Sequence, residues 1–126
     1  MTLRVLAVDD SRTMRNLLSA ALVQAGFDVH LAEDGQDGLQ RLHETGPDVV
    51  ITDINMPRLD GFGFIEAIRG SQSNRNIPIL VLTTESAPEL KARARAAGAT
   101  GWIVKPFDEV KLVAAIERVA VSRGEA

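Results

Sequence analysis

Val49-Val50-Ile51-Thr52-Asp53-Ile54-Asn55-Met56-Pro57 is the stretch on which the fold of this 126-residue chain turns. Its opening run is apolar and β-branched, the composition of a short strand buried on both faces. A lone acid ends the run, and Pro57 with Asp60-Gly61 marks a loop. The pattern recurs along the chain. Val5-Leu6-Ala7-Val8 ends in Asp9-Asp10, Ile79-Leu80-Val81-Leu82 ends in Thr83-Thr84, and Trp102-Ile103-Val104 ends in Lys105. If these strands are parallel, their polar ends converge on one edge of one sheet, where open α/β sheets bind ligands.

Helical patterns fill the intervals. Met14, Leu17, Leu18, Ala21 and Leu22 follow the first strand at helical spacing, with Ser11 as N-cap and Gly26 as a left-handed stop. Val29–Ala32 reads as a short second strand near an edge, and Asp34-Gly35 opens a helix carrying Leu39 and Leu42 that closes at Gly46-Pro47. Phe64, Ile65 and Ile68 mark a third helix, and Pro78 opens the fourth strand. Ser86-x-x-Glu89 has the form of a capping box with Pro88 in the first turn. A last helix begins near Asp108 and carries Leu112, Val113, Ile116, Val119 and Ala120. Strand and helix alternate five times, which specifies an α/β domain with a parallel sheet. Periodicity and the right-handed crossover rule leave several strand orders open.

Composition narrows the function. Apolar content of 45% and charged content of 25% are those of a soluble globular domain, and no apolar run approaches a membrane span. The absence of cysteine excludes disulfides, thiolate metal sites and cysteine nucleophiles, and fits a reducing cytoplasm. A net charge of −3 gives no reason to expect nucleic acid. Lys91, Arg93, Arg95, Lys105, Lys111, Arg118 and Arg123 nevertheless concentrate half of the 14 basic residues in the last third.

Asp9, Asp10 and Asp53 side by side, with Lys105 the nearest cation, would repel strongly. A divalent ion resolves the conflict, and oxygen ligands without histidine or thiolate favour Mg²⁺. Mg²⁺ keeps open positions for phosphate oxygens, for which lysine offers a point charge and Thr83 a hydroxyl donor. A carboxylate can attack phosphorus and form an aspartyl-phosphate. Asp53, alone at the end of the third strand, is the nucleophile candidate; Asp9 and Asp10 are metal partners. Singly, each residue has an ordinary explanation: Asp9-Asp10 as helix caps, Asp53 as a turn residue, Thr83 as a strand residue, Lys105 as a surface lysine. Four such residues at four strand ends of one sheet outweigh those explanations.

The blocks Val8-Asp9-Asp10-Ser11, Thr52-Asp53-Ile54-Asn55-Met56-Pro57-x-x-Asp60-Gly61, Leu82-Thr83-Thr84 and Val104-Lys105-Pro106-Phe107 resemble the signature of response-regulator receiver domains, and most of all its stand-alone chemotaxis members. The resemblance covers essentially residues 1–126. It implies a flavodoxin-like (βα)5 fold, a doubly wound five-stranded parallel sheet of order 2-1-3-4-5, in one receiver domain with no output domain. It implies that Asp53 accepts a phosphoryl group from a histidine kinase. Asp10, Asp53 and the carbonyl of Asn55 would hold Mg²⁺, with Asp9 acting through water. Lys105, Thr83 and the backbone N–H groups of Asn55 and Thr84 would bind phosphoryl oxygens, and the Lys105–Pro106 bond would be cis.

The implied function is a cytoplasmic, monomeric phosphorylation switch, an enzyme only toward its own phosphoryl group, whose partner is the flagellar motor switch. Lys91, Arg95, Trp102 and Lys111 are the expected output surface. A phosphate sink, or a receiver in another pathway, is the alternative with the same chemistry. An aspartate-nucleophile phosphohydrolase is disfavoured because Asn55 stands where its second acid is needed. A flavin or nucleotide binder is disfavoured because no Gly-rich phosphate loop follows the first strand. Two residues depart from the family pattern. Trp102 replaces the usual Tyr or Phe of the aromatic switch, and its bulk and single N–H donor work against a full inward rotation. Thr84 replaces a smaller residue and is expected to narrow access to Asp53.

Overall fold

The computed structural model describes residues 2–125, with side chains through residue 120. Arg123, counted among the basic residues, has its side chain outside the described residues. Five strands alternate with five helices: β1 (Arg4–Val8), α1 (Arg12–Gln24), β2 (Asp28–Ala32), α2 (Gly35–Thr45), β3 (Val49–Thr52), α3 (Gly61–Gly70), β4 (Ile79–Thr83), α4 (Pro88–Ala97), β5 (Gly101–Val104) and α5 (Glu109–Glu125). All pairings are parallel, in the order β2-β1-β3-β4-β5. This is the expected doubly wound sheet. β2 lies at an edge, and β1, β3 and β4 are its buried centre.

Alternation along the strands sorts the core into two layers. Leu6, Val8, Val50, Ile79 and Val81 face α2, α3 and α4 with Phe64, Ile65 and Ile68. Val5, Ala7, Val49, Ile51, Leu80 and Leu82 face α1 and α5 with Leu18, Leu22, Leu112 and Ile116. No helix among the described residues is long and apolar enough to cross a membrane.

Local signals behaved unevenly. Ser11 caps α1 by accepting from Met14 N–H at 3.2 Å, and Gly46 ends α2 in the left-handed region. Leu17, expected on the apolar face of α1, is exposed; the buried stripe is the narrower set Leu18, Ala21 and Leu22. The Ser86 capping box does not form. Ala87 is the N-cap, without a side-chain bond, and Pro88 takes the first helical position. The proline ring pushes its preceding residue out of the helical region, so Ala87 stays extended and Ser86 falls one residue too early.

α4 is thinly held. Its inward face buries only Ala94, with Leu90 and Ala97 partly covered. Burying one leucine contributes about 2 kcal/mol and an alanine far less, so α4 gains little from packing. Two arginines supply other fastenings. Arg69 donates to the Gly98 carbonyl at the C-terminal end of α4 (3.0 and 2.8 Å), and the Arg93 guanidinium lies 4.0 Å from the Phe62 ring centroid on α3. The N-terminal end of α4 is therefore expected to open first. Hydrogen exchange should be faster in α4 than in α1 or in Glu109–Ala120, and phosphorylation should change it. Uniform protection unaltered by phosphorylation would contradict this.

Candidate functional site

Parallel pairing puts the ends of β1, β3, β4 and β5 along one edge, and the backbone ladder continues into the polar residues. Asp9 N–H donates to Ala32, Asp53 N–H to Val8, and Lys105 N–H to Thr83, at 2.8–3.0 Å. Each side chain thus leaves a backbone fixed by the sheet. Alternation then assigns sides. Asp9, Asp53 and Lys105 continue the phase of Ala7, Ile51 and Ile103, on the α1/α5 side; Thr83 continues that of Val81, on the side shared with Trp102.

Lys105 reaches across the end of β4. Its Nζ lies 2.7 Å from Asp9 Oδ2 and 2.8 Å from Asp53 Oδ2, with its side chain only 9% exposed. Burial works against the ammonium, but the hydrogen bonds and charges of Asp53 and Asp9 outweigh it and hold its pKa above the ordinary lysine value. The other oxygens are also held: Asp9 Oδ1 accepts from Ser11 N–H at 2.9 Å, and Asp53 Oδ1 from Ile54 N–H at 2.6 Å. Arg15 steadies the same turn by donating to the Asp9 carbonyl at 2.7 Å. Pro106 follows Lys105 through a cis bond, as expected.

Asp10 is exposed and completes a cluster in which Asp9, Asp10 and Asp53 each place a carboxylate oxygen within 4.8 Å of the others. Three carboxylates against one ammonium leave two negative charges unbalanced. An all-oxygen donor set with that charge deficit fits a hard divalent cation and offers no soft ligand.

Thr83 is fully buried, and its hydroxyl accepts from Glu85 N–H at 3.3 Å. Thr84 is exposed immediately beyond it. Asn55 is exposed, and its Nδ2 donates to Glu85 Oε1 at 3.0 Å, joining the loops that follow β3 and β4. Trp102 is half-buried against the core layer under α4, and its Nε1 donates to the Glu85 carbonyl at 3.1 Å. The one N–H of the indole is thereby used on the loop that follows Thr83. Glu85 was missed in the sequence, where no local signal marks it.

Lys91, Arg95 and Trp102 line one small cavity of about 80 Å³ between α4 and β5, floored by Ala94 and Gly101. Lys111 is exposed on the first turn of α5, where its N–H is capped by Asp108, and does not line that cavity. The basic residues of the last third therefore do not form one patch: Lys105 is in the crevice and Arg93 lies against α3.

Residues 5–117 match the sequence model of a family described as the response regulator receiver domain. A probable chemotaxis protein CheY of Rhizobium etli is 41% identical over 118 residues, 93% of this chain and 92% of the relative. The solved structure of the chemotaxis protein CheY4 of Vibrio cholerae is 45% identical, covering 94% of this chain and 99% of that one with a TM-score of 0.88. The receiver domain of a sensor histidine kinase from Pseudomonas aeruginosa, solved with magnesium in its active-site cleft, is 25% identical with a TM-score of 0.88, covering 95% and 98% of the two chains.

Proposed function

The chain belongs to the response-regulator receiver domain family, and we propose that within it the protein is a cytoplasmic, single-domain switch that accepts a phosphoryl group on Asp53 and signals to a separate partner. The observation that carries this reading is the Lys105 bridge between Asp9 and Asp53 in an otherwise acidic crevice. It holds a carboxylate ready at a strand end, with one cation already in place and room in the charge balance for a second.

Asp10, Asp53 and the Asn55 carbonyl would hold Mg²⁺, with Asp9 acting through water; when bound, the ion neutralises the carboxylates and the incoming phosphoryl charge. The residues of the chain do the rest. An Asp53 carboxylate oxygen attacks the phosphorus of a phosphohistidine, the P–N bond breaks, and the imidazole leaves and takes up a proton. Hydrolysis of the acyl phosphate later returns Asp53 and inorganic phosphate. Converting the carboxylate to an acyl phosphate adds about one negative charge. Lys105 follows that charge onto a phosphoryl oxygen, and the Asn55 and Thr84 N–H groups donate to others. The Thr83 hydroxyl turns from Glu85 N–H to the phosphoryl group. Release of that N–H loosens the loop to which Trp102 is tied, and so transmits the change to the face of Lys91, Arg95 and Lys111.

The relatives in chemotaxis support a flagellar motor component as the partner of that face and a chemotaxis histidine kinase as donor. The deciding experiment is incubation with acetyl phosphate followed by intact mass: one phosphoryl group gained with Mg²⁺ and none with chelator. Binding of the phosphorylated form to a motor-switch peptide then tests the output, and a phosphorylated form that binds no such peptide would be a phosphate sink or a receiver in another pathway.

A further inference from the structure

The loop after β3 is fastened in a way that phosphoryl chemistry alone does not explain. Arg58 adopts φ 66°, a left-handed conformation uncommon outside glycine. There its Nε lies 2.6 Å from Oδ2 of Asp34, whose side chain is only 3% exposed, and its Nη2 lies 3.8 Å from Glu33. Oδ1 of the same Asp34 caps α2 by accepting from Asp37 N–H at 2.9 Å. Burial pushes the Asp34 carboxyl upward, but hydrogen bonds from Arg58 and the Asp37 N–H bring it below the ordinary carboxylate range.

The neighbouring residue adds a second fastening. The Leu59 carbonyl accepts from Gly35 N–H at 3.0 Å, and a Cβ on Gly35 would stand 2.5 Å from that carbonyl, so only glycine permits the approach. At its base the loop closes on itself through Gly61 N–H to the Ile54 carbonyl at 2.8 Å. A Cβ on Gly61 would stand 2.3 Å from the Asp53 carbonyl. Ile54–Gly61 is thus tied at its base to β3 and at its apex to the N-terminus of α2, and Asn55 lies between the ties.

We propose that Arg58 is a positioning residue for Mg²⁺: its ion pair with buried Asp34 fixes the loop that presents the Asn55 carbonyl. This rests on the proposed reading of the crevice. Mg²⁺ demands near-ideal octahedral geometry, so a backbone ligand on a drifting loop binds it poorly. Asp53 leaves a backbone paired to β1, and Asp10 lies between Asp9, whose backbone is paired to β2, and Ser11, the N-cap of α1, whereas Asn55 depends on its loop. Without the Arg58 side chain, the Asp34 charge remains buried with backbone partners only, and the apex of the loop is left with the single Leu59–Gly35 hydrogen bond to α2.

Calorimetric titration of the unphosphorylated full chain with Mg²⁺ tests the proposal. Arg58→Ala is expected to bind about 10-fold more weakly than the parent, the low end for loss of an outer support of a metal site. Arg58→Gly should weaken binding as much although it relieves the left-handed backbone, and Arg58→Lys should restore part of the affinity. Asp34→Asn, which keeps an acceptor for the cap, should weaken binding too, and the double variant should be no weaker than Arg58→Ala. Parental Mg²⁺ affinity in Arg58→Ala and Asp34→Asn, with or without a lowered melting temperature, would reduce the ion pair to a structural tie and overturn the inference. Failure of the parent itself to bind Mg²⁺ would overturn the reading of the crevice and this inference with it. Binding lost in Asp10→Asn but intact in Arg58→Ala would overturn the inference alone.

Discussion

Replacing Asp53 by Asn is expected to abolish phosphoryl uptake from acetyl phosphate and Mg²⁺ while leaving the protein folded. The strand end holds its carboxylate against both a cation and a backbone donor: Oδ2 meets Lys105 and Oδ1 meets Ile54 N–H. Asp9 is held in the same way, by Lys105 and by Ser11 N–H, but its side chain is 2% exposed against 12% for Asp53. An approaching phosphorus therefore meets Asp53 before Asp9. Asparagine has nearly the same shape but keeps only one acceptor, so either Lys105 or Ile54 N–H faces an amide NH₂, at a cost of about 1–3 kcal/mol. Removing one negative charge from a crowded acidic site offsets part of that. Thermal unfolding should show a cooperative transition near that of the parent, and intact mass should show no phosphoryl gain. A gain equal to that of the parent would place the acceptor elsewhere and remove Asp53 from the mechanism.

The strand ends were legible because each is marked by an abrupt change from Val, Ile and Leu to Asp, Thr or Lys. The order of the strands was not, since several crossover schemes share that pattern; the family resemblance supplied it, and the register Val8↔Thr52 and Thr83↔Val104 is the structural fact behind it. Ser86 misled because a capping-box spacing is a local pattern, whereas the restriction imposed by Pro88 on Ala87 decides where a helix can start. Leu17 misled because helical spacing gives a stripe but not its width. Glu85 and the Arg58–Asp34 pair could not be read at all. Each depends on loops 24 to 30 residues apart meeting over the crevice or beside it, and nothing in the composition of one loop names its partner in another.

Replacing Lys105 by Met should have the second largest effect, visible in both stability and chemistry. The thioether fills the volume of the lysine stem but leaves Asp9 and Asp53 facing each other without a cation, in a crevice where Asp9 is almost fully buried. Removing one partner of a buried pair destabilises by about 3–5 kcal/mol. In chelator, urea unfolding of Lys105→Met should show a loss of that order, and Mg²⁺ should recover part of it by neutralising the same carboxylates. The pH dependence has a definite sign. The Lys105 pKa is raised on folding above its ordinary 10.5, so its contribution is complete below that value and is lost as pH rises through the folded pKa. The gap between parent and variant should therefore be flat from neutrality to about pH 10 and close only above it. Phosphotransfer should fall about 10²–10³-fold, the usual loss when one preorganised charge partner is removed from a transition state. Stability unchanged in chelator would mean that the carboxylates do not depend on Lys105. Phosphotransfer unchanged with Mg²⁺ would mean that Lys105 does not follow the charge onto the phosphoryl group. In the first case the bridge is not what holds Asp53 ready; in the second, Lys105 is only the resting counterion of the crevice.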